Sequence, residues 1–441
     1  MSWSKDQLFC YTYSMTNQNE TMTYEEGLAW IHDQLKFGIK PGIERMKWLL
    51  KELGNPQDKV KGIHVVGTNG KGSTVHYLQS IFTEAGYVVG TFTSPYIMDF
   101  RERISLNGTM ISQEDLLSLL AIVKPIAERL PEETGYEPAT EFEIITTMMF
   151  LYFGQIHPVD IAIIEAGLGG LYDSTNVFDP LAVICTSIGL DHQNILGQSY
   201  EDIASQKVGV LKDKVPFVFA ENRPEVKSVF YARAQETKSP TFELGHDFQV
   251  LGHNRDFDFT FKEFKVNKLS LRMLGQHQVA NAGIALMTSM LLQDQYPQVT
   301  EESIRTALAR ASWLGRTELV ADNLMIDGAH NNESIAVLVD LLKTEFDHKK
   351  IHILFAAIDT KPIQVMLEQL TTVGQLTVTT FDYPNAVSLD NYPSDYPKVV
   401  NFKEWLNSYN SSSTEDFYVI TGSLYFISQV RQFLLENKLE K

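Results

Sequence analysis

Gly67-Thr68-Asn69-Gly70-Lys71-Gly72-Ser73-Thr74 is the stretch from which the rest of the chain is read. It follows a short apolar run, Ile63-His64-Val65-Val66. It precedes an amphipathic run with Val75, Leu78, Ile81 and Phe82 on one face. Strand, glycine-rich turn and helix is the context a phosphate-binding loop requires. The glycines let backbone N–H groups approach an anion closely, and the helix N-terminus adds positive potential. Lys71 can reach β- and γ-phosphates, and Ser73 or Thr74 can sit near Mg²⁺. Gly72 separates the lysine from the hydroxyl, so this is not a standard Walker A. Nucleotide binding is the reading these residue types support over a bland loop.

Outward from the loop, apolar β-branched segments alternate with helical ones. The first part reads as two helices, 24–36 and 43–53. Strands are predicted at 63–66, 88–93, 161–165, 182–187 and 217–220, with helices between most of them. That alternation specifies an α/β fold, an N-terminal doubly wound, mostly parallel sheet carrying the phosphate loop. Residues 241–274 alternate apolar and charged side chains, as in Phe257-Asp258-Phe259-Thr260-Phe261, and read as an antiparallel excursion on this domain. A helix is predicted from about 279 to 292. A second β/α series comes after it, with strands at 324–326, 352–356, 376–380 and 417–421 and helices at 333–346 and 424–435. The expectation is an ATP-binding domain over 1–311 and a smaller, Rossmann-like α/β domain over 316–441.

A chain of 441 residues exceeds the usual size of one core, in line with two domains. A net charge of -18 argues against a nucleic-acid backbone as partner. Two cysteines, Cys10 and Cys185, make no disulfide framework and fit a reducing compartment. Met1-Ser2-Trp3-Ser4-Lys5-Asp6-Gln7 lacks the basic start and apolar core of a signal peptide, and no apolar run approaches the ~20 residues of a membrane span. A cytoplasmic monomer without a membrane partner is expected.

Ligands of open α/β sheets bind beyond the carboxyl ends of the strands. Three such ends carry polar groups: Thr93-Ser94-Pro95-Tyr96, Glu165-Ala166-Gly167-Leu168-Gly169-Gly170, and Gly189-Leu190-Asp191-His192. A hydroxyl, a carboxylate and an imidazole beside a phosphate loop make a plausible Mg²⁺ shell, which needs few protein ligands. Taken singly, Ser94 can start a turn, Glu165 can pair with a lysine and His192 can cap a helix. Taken jointly, at strand ends of one sheet, they point to a site. Lys207 sits in a helical stretch running to Gly209, where a lysine is usually solvated, though a desolvated one can lose its proton and react. In the second series Gly315-Arg316-Thr317-Glu318 and Ile326-Asp327-Gly328-Ala329-His330-Asn331 stand out, with Asn331 or Asn332 as a helix N-cap. Gly422-Ser423-Leu424-Tyr425 repeats that arrangement at the last strand.

Together these residues resemble the Mur ligase superfamily, and within it the folylpolyglutamate synthase/dihydrofolate synthase family. Further carriers are Glu102-Arg103-Ile104, Asp173-Ser174-Thr175-Asn176, Lys207-Val208-Gly209 and Gln278-Val279-Ala280-Asn281. The resemblance implies an ATP-dependent ligase that adds L-glutamate to the γ-carboxylate of a reduced folate through an acyl phosphate. By similarity, Lys71 and the loop 67–74 hold the triphosphate, with Lys71, Lys207 and His192 serving catalysis. Asn281, Arg316 and Asp327 match nucleotide contacts. Ser94, Glu165, His192 and Lys207 match magnesium positions, two ions being implied and Lys207 being carbamylated in the family. Thr140, Phe142 and Ser174 resemble a substrate pocket, and His330 and Ser423 resemble residues near the nucleotide or the incoming amino acid.

Departures from the pattern bear on the substrate. Tyr96 stands where many members have histidine, and Leu171 where many have arginine. Losing a cation at 171 favours a glutamate-adding enzyme over a bifunctional one that also accepts dihydropteroate. The residues Gln206 and Val208 beside Lys207 also differ from the usual choices. From a different class, a P-loop ATPase without ligase activity is the competing expectation.

Overall fold

The computed structural model describes residues 22–38, 40, 42–359 and 363–437. Met1–Gln7 and Cys10, on which the expectations of no signal peptide and no disulfide framework partly rest, lie outside them. The chain divides into two compact units. The first holds residues through Ile188, His192–Phe248 and Ile284–Ala307. The second holds Gly189–Asp191, Gln249–Gly283 and the residues from Leu308 onward.

The first unit is organised around β1 (Gly62–Val66), buried along its whole length. A strand covered on both faces reads as an unbroken apolar run, which is why 63–66 is legible in the sequence. β1 pairs in parallel with β5 (Ile161–Glu165) and β6 (Ala182–Cys185). With β2 (Val89–Phe92), β3 (Ile104–Leu106), β4 (Thr109–Met110), β7 (Phe217–Phe219) and β8 (Thr241–Glu243) they form one sheet, ordered β4-β3-β2-β5-β1-β6-β7-β8. Only the two pairings of β3, at one edge, are antiparallel. Thr23 caps the first described helix, Tyr24–Asp33, in a reciprocal arrangement with Glu26. The helix Gln113–Thr134 holds Pro125 and Pro131, which obscure its periodicity in the sequence. Thr140 caps the helix Glu141–Leu151.

The stretch 241–274 departs from the expectation of one antiparallel excursion. Thr241–Glu243 joins the main sheet in parallel with β7. The antiparallel part is β9 (Gln249–His253), β10 (Asp256–Phe261) and β11 (Phe264–Ser270). These form a separate three-stranded sheet that groups with the second unit. The division between units falls inside the helix Gln276–Leu291. The second unit's main sheet runs β12 (Glu318–Ala321), β13 (Leu324–Ile326), β16 (Asp416–Thr421), β14 (Lys350–Phe355), β15 (Gln375–Val378). All pairings but β12–β13 are parallel. Its core packs Ile335, Leu338 and Leu342 of the helix Asn332–Glu345 with Ile353, Phe355 and Val419 of the sheet. Among the described residues, no helix is long and apolar enough to cross a membrane.

One fully buried histidine, His64, and two half-buried ones, His76 and His277, contribute to the pH response of this fold. Burial pushes His64 down to about 3 and His76 to about 4. His277 falls to about 4 through burial and then the nearby Arg316 charge. These rings stay neutral when folded and take a proton when unfolded. Stability is therefore full above the unfolded value near 6.5 and is lost as pH falls below it, by about 1.4 kcal/mol per pH unit for each histidine. The unfolding midpoint in denaturant should drop between pH 7 and pH 5. His64→Gln should flatten that slope, and a pH-independent midpoint would refute the assignment.

Candidate active site

The phosphate loop is shaped by residues on the neighbouring strand end. Gly67 has a φ of 147°, and a Cβ there would lie 2.0 Å from Thr186 Oγ1. Only glycine fits. Thr68 N donates to Ser187 O at 2.8 Å, and Asn69 N to Ser187 Oγ at 3.1 Å. Asn69 O accepts from Thr186 Oγ1 at 2.6 Å. Gly70, with a φ of 88°, begins the helix Lys71–Glu84 and makes no side-chain cap. Sequence reasoning misses Thr186 and Ser187. Their signal is a pair of hydroxyl residues directly after a strand that flanks β1.

Two lysines converge on Gly67. Lys71 Nζ donates to Gly67 O at 3.1 Å and to Thr68 O at 3.3 Å, and Lys207 Nζ donates to Gly67 O at 2.8 Å. Lys71 Nζ also lies 3.7 Å from Glu165 Oε1. Glu165 ends β5 opposite Val65 of β1, is buried, and so faces the loop from the adjacent strand. The carboxylate balances part of the positive charge that would otherwise crowd one carbonyl. Lys207 is buried in the last turn of the helix Tyr200–Val208. A helix ending on the loop is the opposite of the solvated face its sequence context suggests. Cys185 lies buried at the end of β6, its thiol pushed up to about 12 chiefly by burial.

Ser94 stands two residues beyond β2, and the Ser94–Pro95 peptide is cis. His192 is exposed, with a φ of 52°, at the start of the short helix Gln193–Leu196, and its side chain makes no cap. Its position in a core is therefore excluded. β2, β5, β1 and β6 are consecutive in the sheet, so the loops bearing Ser94, Glu165, the phosphate loop and His192 leave neighbouring strands. Among the described residues, no three His, Cys, Asp or Glu side chains cluster as a metal site.

Phe142 lies against the loop after β5: a Cβ on Gly167 would come within 2.5 Å of its ring, and Phe142 is 5.7 Å from the Phe92 ring at the end of β2. Thr140 is buried and spent on capping, with its Oγ1 3.0 Å from Glu143 Oε2. Ser174 is half-buried in the turn organised by Asp173. Asp173 accepts from Leu168 N at 2.7 Å and Thr175 N at 2.9 Å, and burial holds its pKa above the usual carboxylate range. Leu171 packs beneath Gly209, where a Cβ would meet the Leu171 Cβ at 2.6 Å.

In the second unit, Asp327 directly follows β13 and binds the turn that bears Arg316. Its carboxylate accepts from Thr317 N at 2.7 Å and Ala329 N at 2.9 Å, while Gly328 N donates to Gly315 O at 2.8 Å. Burial pushes its pKa up, and Arg316 opposes that. The sequence motifs at 315–318 and 326–331 therefore form one structure. His330 Nδ1 is 2.7 Å from Gly328 O, and Asn331 is the N-cap of the helix Asn332–Glu345. Gly422 N donates to Ala329 O at 3.0 Å, which places buried Ser423 on the neighbouring strand end. Ser423 occupies an N-cap position without making a side-chain cap. Asn281 is buried on the helix Gln276–Leu291, its Nδ2 3.4 Å from Gln278 Oε1.

Residues 65–289 match the model of the Mur ligase middle domain. The chain is 40% identical over 432 residues to the dihydrofolate synthase/folylpolyglutamate synthase of Bacillus subtilis, covering 93% of this chain and 99% of that one. It is 34% identical over 430 residues to the folylpolyglutamate synthase of Lacticaseibacillus casei, covering 95% and 100%. A solved FPGS–AMPPCP–folate complex superposes with a TM-score of 0.82 at 32% identity, over 94% of this chain and 100% of that one. The chain belongs to the folylpolyglutamate synthase/dihydrofolate synthase family of the Mur ligase superfamily.

Proposed function

We propose that the chain is an ATP-dependent ligase that joins L-glutamate to the γ-carboxylate of a reduced folate. The observation that carries this reading is the pair Lys71–Glu165 on a phosphate loop, in a chain whose relatives are named for that activity. A folate carboxylate oxygen attacks the γ-phosphorus, ADP leaves, and an acyl phosphate forms. The amine of glutamate then attacks the acyl carbon, phosphate leaves, and the nitrogen loses its proton. Lys71 and the N–H groups of the loop bind and orient the triphosphate as negative charge accumulates. Asn281, Arg316 and Asp327 serve as nucleotide contacts. Thr140, Phe142 and Ser174 belong to the substrate pocket, the region that resembles the dihydropteroate pocket of bifunctional enzymes, and His330 and Ser423 serve the nucleotide or the incoming amino acid. The chain acts as a cytoplasmic monomer on small molecules, with neither nucleic acid nor membrane as partner.

The donors suit Mg²⁺ in part. The Glu165 carboxylate and Ser94 hydroxyl are hard oxygen donors, and a nucleotide and water complete such a shell. When bound, Mg²⁺ supplies charge neutralisation at the phosphates. His192 is a third candidate, and His192→Ala should raise the Mg²⁺ concentration needed for half-maximal turnover. Unchanged Mg²⁺ kinetics would remove it from the shell. Lys207 donates to Gly67 O, which is the work of an ammonium group. As a metal ligand it requires the carbamate, and a second ion rests on that. Lys207→Ala should lose most activity and regain part of it with a short-chain carboxylic acid. Absence of rescue would count against the carbamate.

A bifunctional enzyme is the second reading, favoured by the double activity in the name of the Bacillus subtilis relative. Leu171, without the cation, favours glutamate addition alone. The P-loop ATPase alternative is tested by ADP release. Release that depends on both glutamate and a folate supports the ligase, and release without either would support the ATPase.

A further inference from the structure

The motif Glu102-Arg103-Ile104 has no role in the proposed chemistry, yet it organises the loop that carries Ser94. β2 and β3 are antiparallel neighbours, with Phe92 opposite Ile104, and the residues between them form their connection. Thr93 N donates to Arg103 O at 3.0 Å and closes its base. Inside it, the Glu102 carboxylate accepts from three consecutive backbone N–H groups: Ile97 N to Oε2 at 2.8 Å, and Met98 N and Asp99 N to Oε1 at 3.1 Å each. Successive N–H groups turned toward one anion form a concave binding nest, here filled by the chain's own carboxylate. Asp99 returns the arrangement, its Oδ1 accepting from Arg101 N at 2.9 Å. The Arg103 guanidinium lies 5.3 Å from the centre of the Tyr96 ring and reaches Glu141 Oε1 at 3.2 Å. Tyr96 and Phe100 meet edge to face at 5.7 Å.

We propose that Glu102 is a positioning residue for Ser94: its carboxylate fixes the 97–99 turn, and through it the place of the Ser94 hydroxyl beside the magnesium-nucleotide. A three-N–H clamp leaves the turn a single conformation, so the hydroxyl is presented without an ordering cost at binding. Glutamine retains the length but places an NH₂ group against N–H donors, so Glu102→Gln opens the clamp with little change in volume. The proposal rests on the reading of Ser94 as a metal-shell residue.

The test is a double-mutant cycle of Glu102→Gln and Ser94→Ala, read by calorimetric binding of a β,γ-methylene ATP analogue with Mg²⁺. Hydrogen exchange at residues 97–99 is followed in parallel. In the Ser94 background, Glu102→Gln should weaken Mg²⁺-dependent binding roughly tenfold, with faster exchange at 97–99 and unchanged exchange in β1. In the Ser94→Ala background it should have no further effect. Equal losses in both backgrounds would overturn the role of Glu102 while leaving Ser94 in the site. A Ser94→Ala variant that binds like the parent would overturn the reading of Ser94 and the proposal with it. If Glu102→Gln does not fold, Glu102→Asp, which retains the charge but draws it back from the turn, should show the same pattern to a smaller degree.

Discussion

Lys71→Ala should reduce turnover about 10³-fold or more, since it removes the cation that meets charge as it develops on the phosphates. The geometry gives this expectation its direction. Lys71 Nζ lies on the carbonyls of Gly67 and Thr68 and 3.7 Å from Glu165, so it is already gathered at the loop. Its alanine replacement also leaves the buried Glu165 without that counter-charge, adding repulsion toward an incoming triphosphate. Stability should fall by more than the ~0.5 kcal/mol of an ordinary surface change, because the buried Glu165 loses a counter-charge. Lys71→Arg keeps the charge but not the compact ammonium, and should remain strongly impaired. Steady-state ADP release, with thermal unfolding as the control, checks both. A Lys71→Ala enzyme with more than a tenth of the parent rate would remove Lys71 from the chemistry.

Gly67→Ala is the second large effect, and it acts through shape alone. The new Cβ would meet Thr186 Oγ1 at 2.0 Å and Thr186 N at 3.1 Å, at a φ of 147° that L side chains rarely adopt. The loop must move away from the end of β6. Thr68 N and Asn69 N, both bonded to Ser187, must move with it. A shift of about 1 Å in a positioning element is worth about 10²-fold, so nucleotide affinity and turnover should both fall by that order. The strain should also destabilise the fold by ~3 kcal/mol. Gly67→Ala with Thr186→Ala relieves the clash but not the dihedral angle, so it should recover only part. Parent-like nucleotide affinity in Gly67→Ala would show that the loop is not held against β6.

The parts of the site that are legible in the sequence are those written in local pattern. The run 63–66 reads as a buried strand because both faces are covered, and the glycines and Lys71 come directly after it. Glu165 is legible as the last residue of another such run. The contacts that complete the loop are long-range and carry no local signal: Lys207 Nζ reaches Gly67 O across 140 positions, and Thr186 reaches Asn69 across 117. Residues 241–274 show a different failure. Short alternating segments look alike whether they extend a parallel sheet, as Thr241–Glu243 does, or build a separate one, as 249–270 does. Asp327 and Arg316 read as separate motifs because the turn that joins them is closed by one backbone bond, Gly328 N to Gly315 O, and by Thr317 N donating to the Asp327 carboxylate, neither of which has a local signal.

Glutamate addition to a folate is read from the product itself. The enzyme is incubated with Mg-ATP and glutamate, and with either tetrahydrofolate monoglutamate or dihydropteroate, and the pterin product is weighed by mass spectrometry. Tetrahydrofolate should gain one or more glutamyl residues and dihydropteroate none. Glutamylation of both would show that Leu171 does not exclude dihydropteroate. ATP consumption with no glutamylated product from either would rule out glutamate ligation to a folate.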